Sequence, residues 1–515
     1  MEMDNTAVTP LKEPTNTGIV VLDQAARSCH AAKPTATAES AHRTIVPNGS
    51  RADAMSRGAY RGLATPAAGD RMSTASAELL SLPARLAGPR PTIVVVGLGY
   101  VGLPLCVELA ESGAEVLGLD VHAGLCAQLN EGRSHVGDIS DAQLARAREA
   151  GFVAGIDARV VARADAVVIC VPTPLRKTKD PDISYIVAAG QAVSAHARKG
   201  QLFVLESTTY PGTTEELLVP MLEERGLTVG VDVAVAFSPE RVDPGNPKYG
   251  IRNTPKVVGG CSPLCGNAAE ALYRRCCDHV HRVSTPATAE TVKLLENTFR
   301  MVNIALVNEF ALICRQLGLD VWEVIEAAST KPFGFMPFKP GPGLGGHCIP
   351  IDPHYLAWKL RAHNFTARFV ELADAINSKM PDHVVEVLTD VLNDAERAVK
   401  GSRVLILGVA YKPDISDMRE SPALEVITHL ARKQANVSYH DPFVARLAIE
   451  ERQYQSVALT AATLSEADAV VVITDHRSFD WDFVLKHSRW IVDARNATVK
   501  ARAAAPELAK KVRTI

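Results

Sequence analysis

Aromatic residues are scarce in this 515-residue chain, at 5%, and neither sign of charge dominates: 55 Lys and Arg stand against 58 Asp and Glu, a net charge of −3. That balance gives no electrostatic reason to expect a nucleic-acid or membrane-surface partner. No apolar run approaches the ~20 residues that span a bilayer. The start, Met1-Glu2-Met3-Asp4, is acidic with no apolar segment behind it, unlike a secretory leader. None of the ten cysteines forms a C-x-x-C pair, and several lie in apolar runs such as Val167-Val168-Ile169-Cys170. Reduced, buried thiols are therefore expected in place of a disulfide framework. The group Cys261, Cys265, Cys276, Cys277, His279 and His281 lacks the paired short spacings of a zinc site, and no metal is expected. These absences leave a cytosolic globular chain, 47% hydrophobic and 22% charged, long enough for about two to four domains.

Residues 1 to 90 differ from the rest. They are rich in Ala, Thr, Ser, Pro and Gly and hold one aromatic, Tyr60. Such a segment buries too little apolar surface to offset its ordering entropy, so it is expected to be a disordered tail, or an over-extended start with translation beginning at Met55 or Met72. From Thr92 onward, buried apolar strands alternate with helices: Thr92–Val96, Glu115–Asp120, Ala166–Val171, Leu202–Glu206, Val233–Phe237 and Lys256–Val258 read as strands. That alternation indicates a parallel doubly wound sheet. Thr288 to Leu317 reads as one long helix that stops at Gly318 and puts Lys293, Asn297 and Arg300 on one face. A second α/β pattern runs through Arg403–Leu407, Val437–Tyr439, Ala469–Ile473 and Trp490–Val492. The expected fold is α/β: two Rossmann-like doubly wound domains, 91–286 and 399–515, joined by a long central helical region, 287–398. The long helix should also carry a homodimer interface, because it must bury an apolar face somewhere.

Two motifs carry chemistry. Gly97-Leu98-Gly99-Tyr100-Val101-Gly102 follows a strand and opens a helix, and Asp120 ends the next strand. Strand, glycines, helix and acid in register form a dinucleotide site; the acid favours NAD, since a 2′-phosphate would meet its charge. Far downstream, Cys348 follows the run Gly341-Pro342-Gly343-Leu344-Gly345-Gly346-His347, and Asp352 stands four residues later. A thiol nucleophile and a hydride acceptor in one chain point to oxidation through a covalent thioester.

These motifs resemble the UDP-glucose/GDP-mannose dehydrogenase family over residues 90 to about 500. The matching stretches are Gly97–Pro104, Cys170–Pro174, Glu206–Thr214, Ser238–Asn246, Glu290–Glu309, Pro340–Pro353 and Gly408–Pro422. Lys331–Phe338 ahead of the glycine run looks most like the branch acting on UDP-N-acetylglucosamine. The His-Pro-Arg element of the mannosamine branch is absent, and the UDP-glucose branch has Tyr-Cys-Leu-Pro-Lys-Asp at the thiol.

The resemblance implies a four-electron oxidation of a sugar C6 alcohol to a uronate for surface polysaccharide synthesis, through a thiohemiacetal and then a thioester on Cys348. Lys293 and Asn297 would stabilise oxyanions, Asp352 would tune the thiol or hold water, and Glu240 would be the base for thioester hydrolysis. The cofactor would meet Gly97, Gly99, Tyr100, Val101, Gly102 and Asp120, with Thr173 and Thr208 beside the nicotinamide. The UDP-sugar would meet Arg241, Val242, Arg300, Phe335, Gly343, Tyr411, Lys412 and Arg419, some of them across a homodimer or higher assembly. Two positions depart from the family pattern: Pro244, where UDP-glucose members carry a second acid, and Leu125, where a base is usual. The rival readings are the same chemistry on UDP-glucose or UDP-N-acetylmannosamine, a two-electron hydroxyacid dehydrogenase that has no need of Cys348, and a catalytically dead nucleotide-sugar scaffold.

Overall fold

The computed structural model describes residues 75–515 except 177–179, 244 and 247. The tail to residue 74, with Tyr60 and Met72, and the Pro244 departure therefore lie outside the described residues. The first sheet contains β1 (Thr92–Val96), β2 (Glu115–Leu119), β3 (Val153–Gly155), β4 (Ala166–Ile169), β5 (Leu202–Leu205), β6 (Ala234–Phe237), β7 (Lys256–Gly260) and β8 (Val280–Val283). Its order is β3-β2-β1-β4-β5-β6-β7-β8, parallel throughout except between β6 and β7. The central strands are buried along their whole length, as their unbroken apolar runs require. The order reverses between β1 and β4, and ligands of open parallel sheets bind at such a switch point.

The Pro286–Leu317 helix follows, capped by the Thr285 side chain at its start and by Gly318 at φ 70° at its end. Lys293 and Asn297 lie on its buried face, each 8% exposed. The helices Asp352–Arg361 and Arg368–Asn377 pack on it. The chain then enters a second sheet of β9 (Arg403–Leu407), β10 (Asn436–His440), β13 (Ala469–Val472), β14 (Ile491–Asp493) and β15 (Val512–Thr514), after an excursion through the hairpin β11 (Arg446–Ile449) and β12 (Arg452–Gln455). The order β10-β9-β13-β14-β15 is all parallel, the second common doubly wound order. Among the described residues, no helix is long and apolar enough to cross a membrane.

The expected disordered tail needs correction at its end. Ala77–Ala87 is a helix capped by Ser76, and its Leu79, Leu82 and Leu86 are fully buried against the Pro263–Tyr273 helix and its surroundings. Arg275 Nη1 donates to the carbonyls of Leu86 at 3.0 Å and Gly88 at 2.7 Å, and Arg85 pairs with Asp165 at 3.2 Å. Its three leucines, at i, i+3 and i+7, form a narrow apolar stripe, and docking stabilises it where composition alone would leave it open. Leu82→Ala is expected to lower stability by about 2–5 kcal/mol through the cavity it leaves. Thermal unfolding of the variant measures this; a melting temperature equal to that of the unaltered chain would refute the docking.

Candidate active site

The loop after β1 explains its glycines one by one. A Cβ on Gly102 would sit 1.8 Å from the Gly97 carbonyl, so close packing of helix on strand requires glycine there. A Cβ on Gly99 would meet nothing within 4 Å. That open face, at the start of the Gly102–Glu111 helix, is where a pyrophosphate can approach the backbone. Asp120 Oδ2 accepts from Leu98 N at 2.9 Å and its Oδ1 from His122 N at 3.0 Å, so the acid also pins the loop. The cradle fits a dinucleotide.

Arg419, expected to meet the UDP-sugar, bridges the cofactor loop and the thiol loop. It lies outside the wall of the substrate-sized cavity, its guanidinium 5.0 Å from the ring centroid of Tyr100 in the cofactor loop. Its Nη2 is 3.2 Å from His347 Nδ1, and Asp417 holds it at 2.6 Å. Burial and the neighbouring Arg419 charge push the His347 imidazole down to about 4. A neutral ring next to the thiol is the result.

Four residues from three segments converge beside Cys348. Lys293 Nζ donates to Thr208 Oγ1 at 2.6 Å, and Asn297 Nδ2 donates to Asp352 Oδ2 at 2.6 Å. The Cys348 carbonyl accepts from Asp352 N at 2.8 Å, so the thiol loop turns directly into the Asp352–Arg361 helix. Burial pushes the Cys348 thiol up, with Lys293 pulling it back. Burial also raises the Asp352 carboxyl, to about 6, against the opposing pull of Lys293 and the Asn297 amide. Lys293 keeps its charge because Asp352, Cys348 and Glu240 together outweigh its burial. The set offers a neutral thiol, a fixed cation, an amide donor and a carboxylate that titrates near working pH. Thr173 sits beside the buried Tyr355 hydroxyl on the other side of this region.

A cavity of about 430 Å³ extends from Cys348, walled by Lys293, Asn297, Glu240, Arg241, Val242 and Arg300 on the first unit's side. Gly343, Tyr411 and Lys412 close it from the far side. Arg241 is held by Glu296 through two bonds of 2.6 and 3.2 Å, and Lys412 pairs with Asp243 at 2.8 Å. Phe335 is exposed on its loop and lies outside this wall. The later glycines serve packing more than ligand approach: a Cβ on Gly346 would fall 2.9 Å from the Tyr411 ring. Sequence reasoning missed Lys339 and Arg495, which also line the cavity. Arg495 follows β14, and a cation at the carboxyl end of a parallel strand was the available signal.

Family models described as the UDP-glucose/GDP-mannose dehydrogenase family match in three parts: the NAD binding domain at residues 91–277, the central domain at 287–379 and the UDP binding domain at 405–500. The chain belongs to this family. It is an NAD-dependent nucleotide-sugar dehydrogenase. Among its relatives, UDP-N-acetyl-D-glucosamine 6-dehydrogenase of Pseudomonas aeruginosa is 34% identical over 75% of this chain and 91% of its own. UDP-N-acetyl-D-mannosamine dehydrogenase of Salmonella typhimurium is 35% identical over 78% of this chain and 98% of its own. The solved UDP-D-ManNAc dehydrogenase of Pyrococcus horikoshii has a TM-score of 0.72 at 36% identity, covering 79% of this chain and 96% of its own. The family's cofactor chemistry and the glycine cradle agree, and both α/β units carry the ligand classes their strand orders allow.

A base role for Asp352 would have a defined pH signature. As pH falls through about 6 its carboxyl gains a proton, so the turnover rate is expected to decline on that limb. Asp352→Asn should remove the limb and lower kcat by about 10²–10⁴-fold, the usual worth of a positioned acid or base. A pH–rate profile that keeps the limb in the variant would assign it to another group.

Proposed function

We propose that this enzyme oxidises the C6 hydroxyl of a UDP-N-acetylhexosamine, UDP-N-acetylglucosamine foremost, to the uronate in two successive oxidations joined by a thioester on Cys348. One observation carries the reading. A thiol, an ammonium and an amide line one cavity together with Arg241, Arg300, Lys412 and Arg495, and the buried Asp352 carboxyl, raised to about 6, bonds to that amide. Four cations spaced along one cavity suit a diphosphate, and the thiol end suits an aldehyde carbon.

NAD, when bound, accepts the hydride of each oxidation. Lys293 and Asn297 hold the alkoxide oxygen and later the tetrahedral oxyanion, in a water-poor wall where such donors count most. The Cys348 thiol adds to the aldehyde carbon and its proton passes to Asp352. During the second oxidation Asp352 releases that proton to solvent; water then adds to the thioester, Asp352 takes the water's proton, the carbon–sulfur bond breaks, and Asp352 returns the proton to the leaving sulfur. This assigns the base role to Asp352. Glu240 was expected to be that base, but its carboxyl ends at about 2: burial pushes it up, and Lys256 with the Val242 N–H overrides that push. A carboxylate so weakly basic, held by three donors, is assigned the orienting of the water and not the taking of its proton.

The choice of sugar rests on the Lys331–Phe338 segment and on the Pseudomonas aeruginosa relative named for UDP-N-acetylglucosamine. UDP-N-acetylmannosamine is the second reading, because relatives named for it are 35% to 37% identical to this chain. NADH formation with UDP-GlcNAc, UDP-GalNAc, UDP-ManNAc and UDP-glucose in parallel decides. The expected result is two NADH per UDP-GlcNAc, with uronate release abolished in Cys348→Ser. One NADH per sugar, or normal turnover in the serine variant, would end the thioester mechanism.

The assembly is proposed as a homodimer through the central helix. Leu295, Phe299, Leu306, Phe310, Ile313 and Leu317 are 41–66% exposed along one face of it, more apolar surface than a lone helix face in water usually keeps. A second copy of the chain on that face would also bring exposed loops such as that of Phe335 to a neighbouring site. Light scattering is expected to show a dimer, and Leu306→Glu with Phe310→Glu a monomer. A monomeric unaltered chain with full activity rules this out.

A further inference from the structure

Behind Glu240 lies a buried set of charges that the reaction just described leaves without a role. Glu206 follows β5, Glu240 follows β6, Lys256 opens β7, and Tyr273 ends the Pro263–Tyr273 helix. Lys256 is 4% exposed, Glu206 1%, and Tyr273 fully buried. Lys256 Nζ pairs with Glu206 and donates to Glu240 Oε2 at 2.8 Å. The Tyr273 hydroxyl donates to the second Glu206 oxygen at 2.7 Å, and its ring centroid lies 5.2 Å from the ammonium. The other Glu240 oxygen, Oε1, accepts from Arg241 N at 2.8 Å and Val242 N at 2.6 Å.

Two carboxyl groups thus share one ammonium, one net negative charge when both are ionised, although burial pushes the Glu206 carboxyl up. The titratable groups facing it are the thiols of Cys170, Cys276 and Cys277 and, toward the cavity, Lys293. A buried charge left unpaired costs several kcal/mol, so the shared ammonium is what lets both acids stay inside. Its effect on the two is unequal. Glu206 sits wholly behind the wall, while Glu240 lines the cavity with Cys348. Three donors hold Glu240 in one orientation, and it cannot swing into the cavity without breaking all of them.

We infer that Lys256 is a positioning residue for thioester hydrolysis: it fixes Glu240 as an oriented anion that places the attacking water, and holds the adjoining Arg241–Val242 turn in the cavity wall. The inference rests on the thioester reading above. It concerns the hydrolytic half alone, because neither oxidation consumes water.

The test separates the two halves of the reaction. The full-length enzyme, with NAD and the UDP-sugar it accepts, is mixed rapidly and followed for NADH, while quenched samples are weighed by intact-mass spectrometry. In Lys256→Met the fast release of two NADH per site is expected to persist. Steady turnover should then fall about 10²-fold, the scale of a misplaced reacting group, with an acyl adduct accumulating on Cys348 and KM falling in step, so that kcat/KM is little changed. Lys256→Arg, which keeps a charge-bearing donor, should recover most of the rate and lose the adduct. The double variant Lys256→Met with Glu206→Gln keeps the native net charge and removes the unpaired acid, so it tests the clamp even if the single variant fails to fold. Slow hydrolysis with adduct in the double variant supports the inference. Wild-type turnover in it, or loss of the NADH burst in place of slow hydrolysis, overturns it. An unaltered enzyme that makes one NADH per sugar and no adduct would instead sink the thioester reading itself, whatever Lys256 does.

Discussion

The bond from Asn297 to Asp352 fixes everything else in the site. It joins the central helix to the first residue of the helix that follows the thiol loop, at 2.6 Å and inside the protein. Because Asp352 N also donates to the Cys348 carbonyl, the sulfur's position is referred to the central helix through a single residue. Lys293, one turn before Asn297, is referred to the first sheet by Thr208. The thiol and the cation are thereby held on rigid elements, which is what positioning within a fraction of an ångström demands. The exposure of the same helix's opposite face follows: one helix serves the site on one side and leaves an apolar stripe on the other.

Much of this was legible in the sequence, for a physical reason. The inner strands of both sheets are continuous apolar runs that period and length identify, whereas the short or polar edge strands Val153–Gly155, Val280–Val283 and Val512–Thr514 carried no such signal. The glycine loop and Asp120 form a local motif whose geometry is fixed within about thirty residues. Cys348, Lys293 and Asn297 were legible through motif resemblance and helical spacing. What stayed hidden depends on distant partners. The Ala77–Ala87 helix gains its stability from docking, and its composition resembles the tail before it. Arg419 carries a charge that suits a phosphate, but only the packed structure reveals it stacked on Tyr100. Lys256 reads as an ordinary strand-start lysine until Glu206 and Glu240 arrive from 50 and 16 residues away.

The two α/β units show how one fold is given different ligands. In the first, Asp120 accepts from Leu98 N in the glycine loop and leaves an open face at Gly99. In the second, Asp441 occupies the matching place after β10 and accepts from Val409 N at 2.7 Å and Ala410 N at 3.1 Å. There the space is filled. His476 Nε2 donates to Asp441 at 3.0 Å, its Nδ1 accepts from Asp414 N at 2.9 Å, and Phe443 packs on the ring at 5.0 Å. Both side chains of the pair are wholly buried. With its carboxylate consumed and a single glycine in the Gly408–Tyr411 loop, the second unit has no room for a ribose on that acid. Its Tyr411, Lys412 and Arg495 face the cavity instead.

The same economy governs the two acids at the cavity. Asp352 and Glu240 are both carboxylates near one thiol, and both are penalised by burial. Asp352 receives one amide donor and a cation it must share with the thiol, so burial prevails and its carboxyl rises to about 6. Glu240 receives a buried ammonium and two backbone donors, so they prevail and it falls to about 2. Environments that drive two like groups apart assign them unlike tasks. In the proposed mechanism the carboxyl raised to about 6 takes and returns the proton, and the one lowered to about 2 stays charged and orients the water. Hydrolysis of a thioester calls for both, since the attacking water must be aimed before it can be deprotonated.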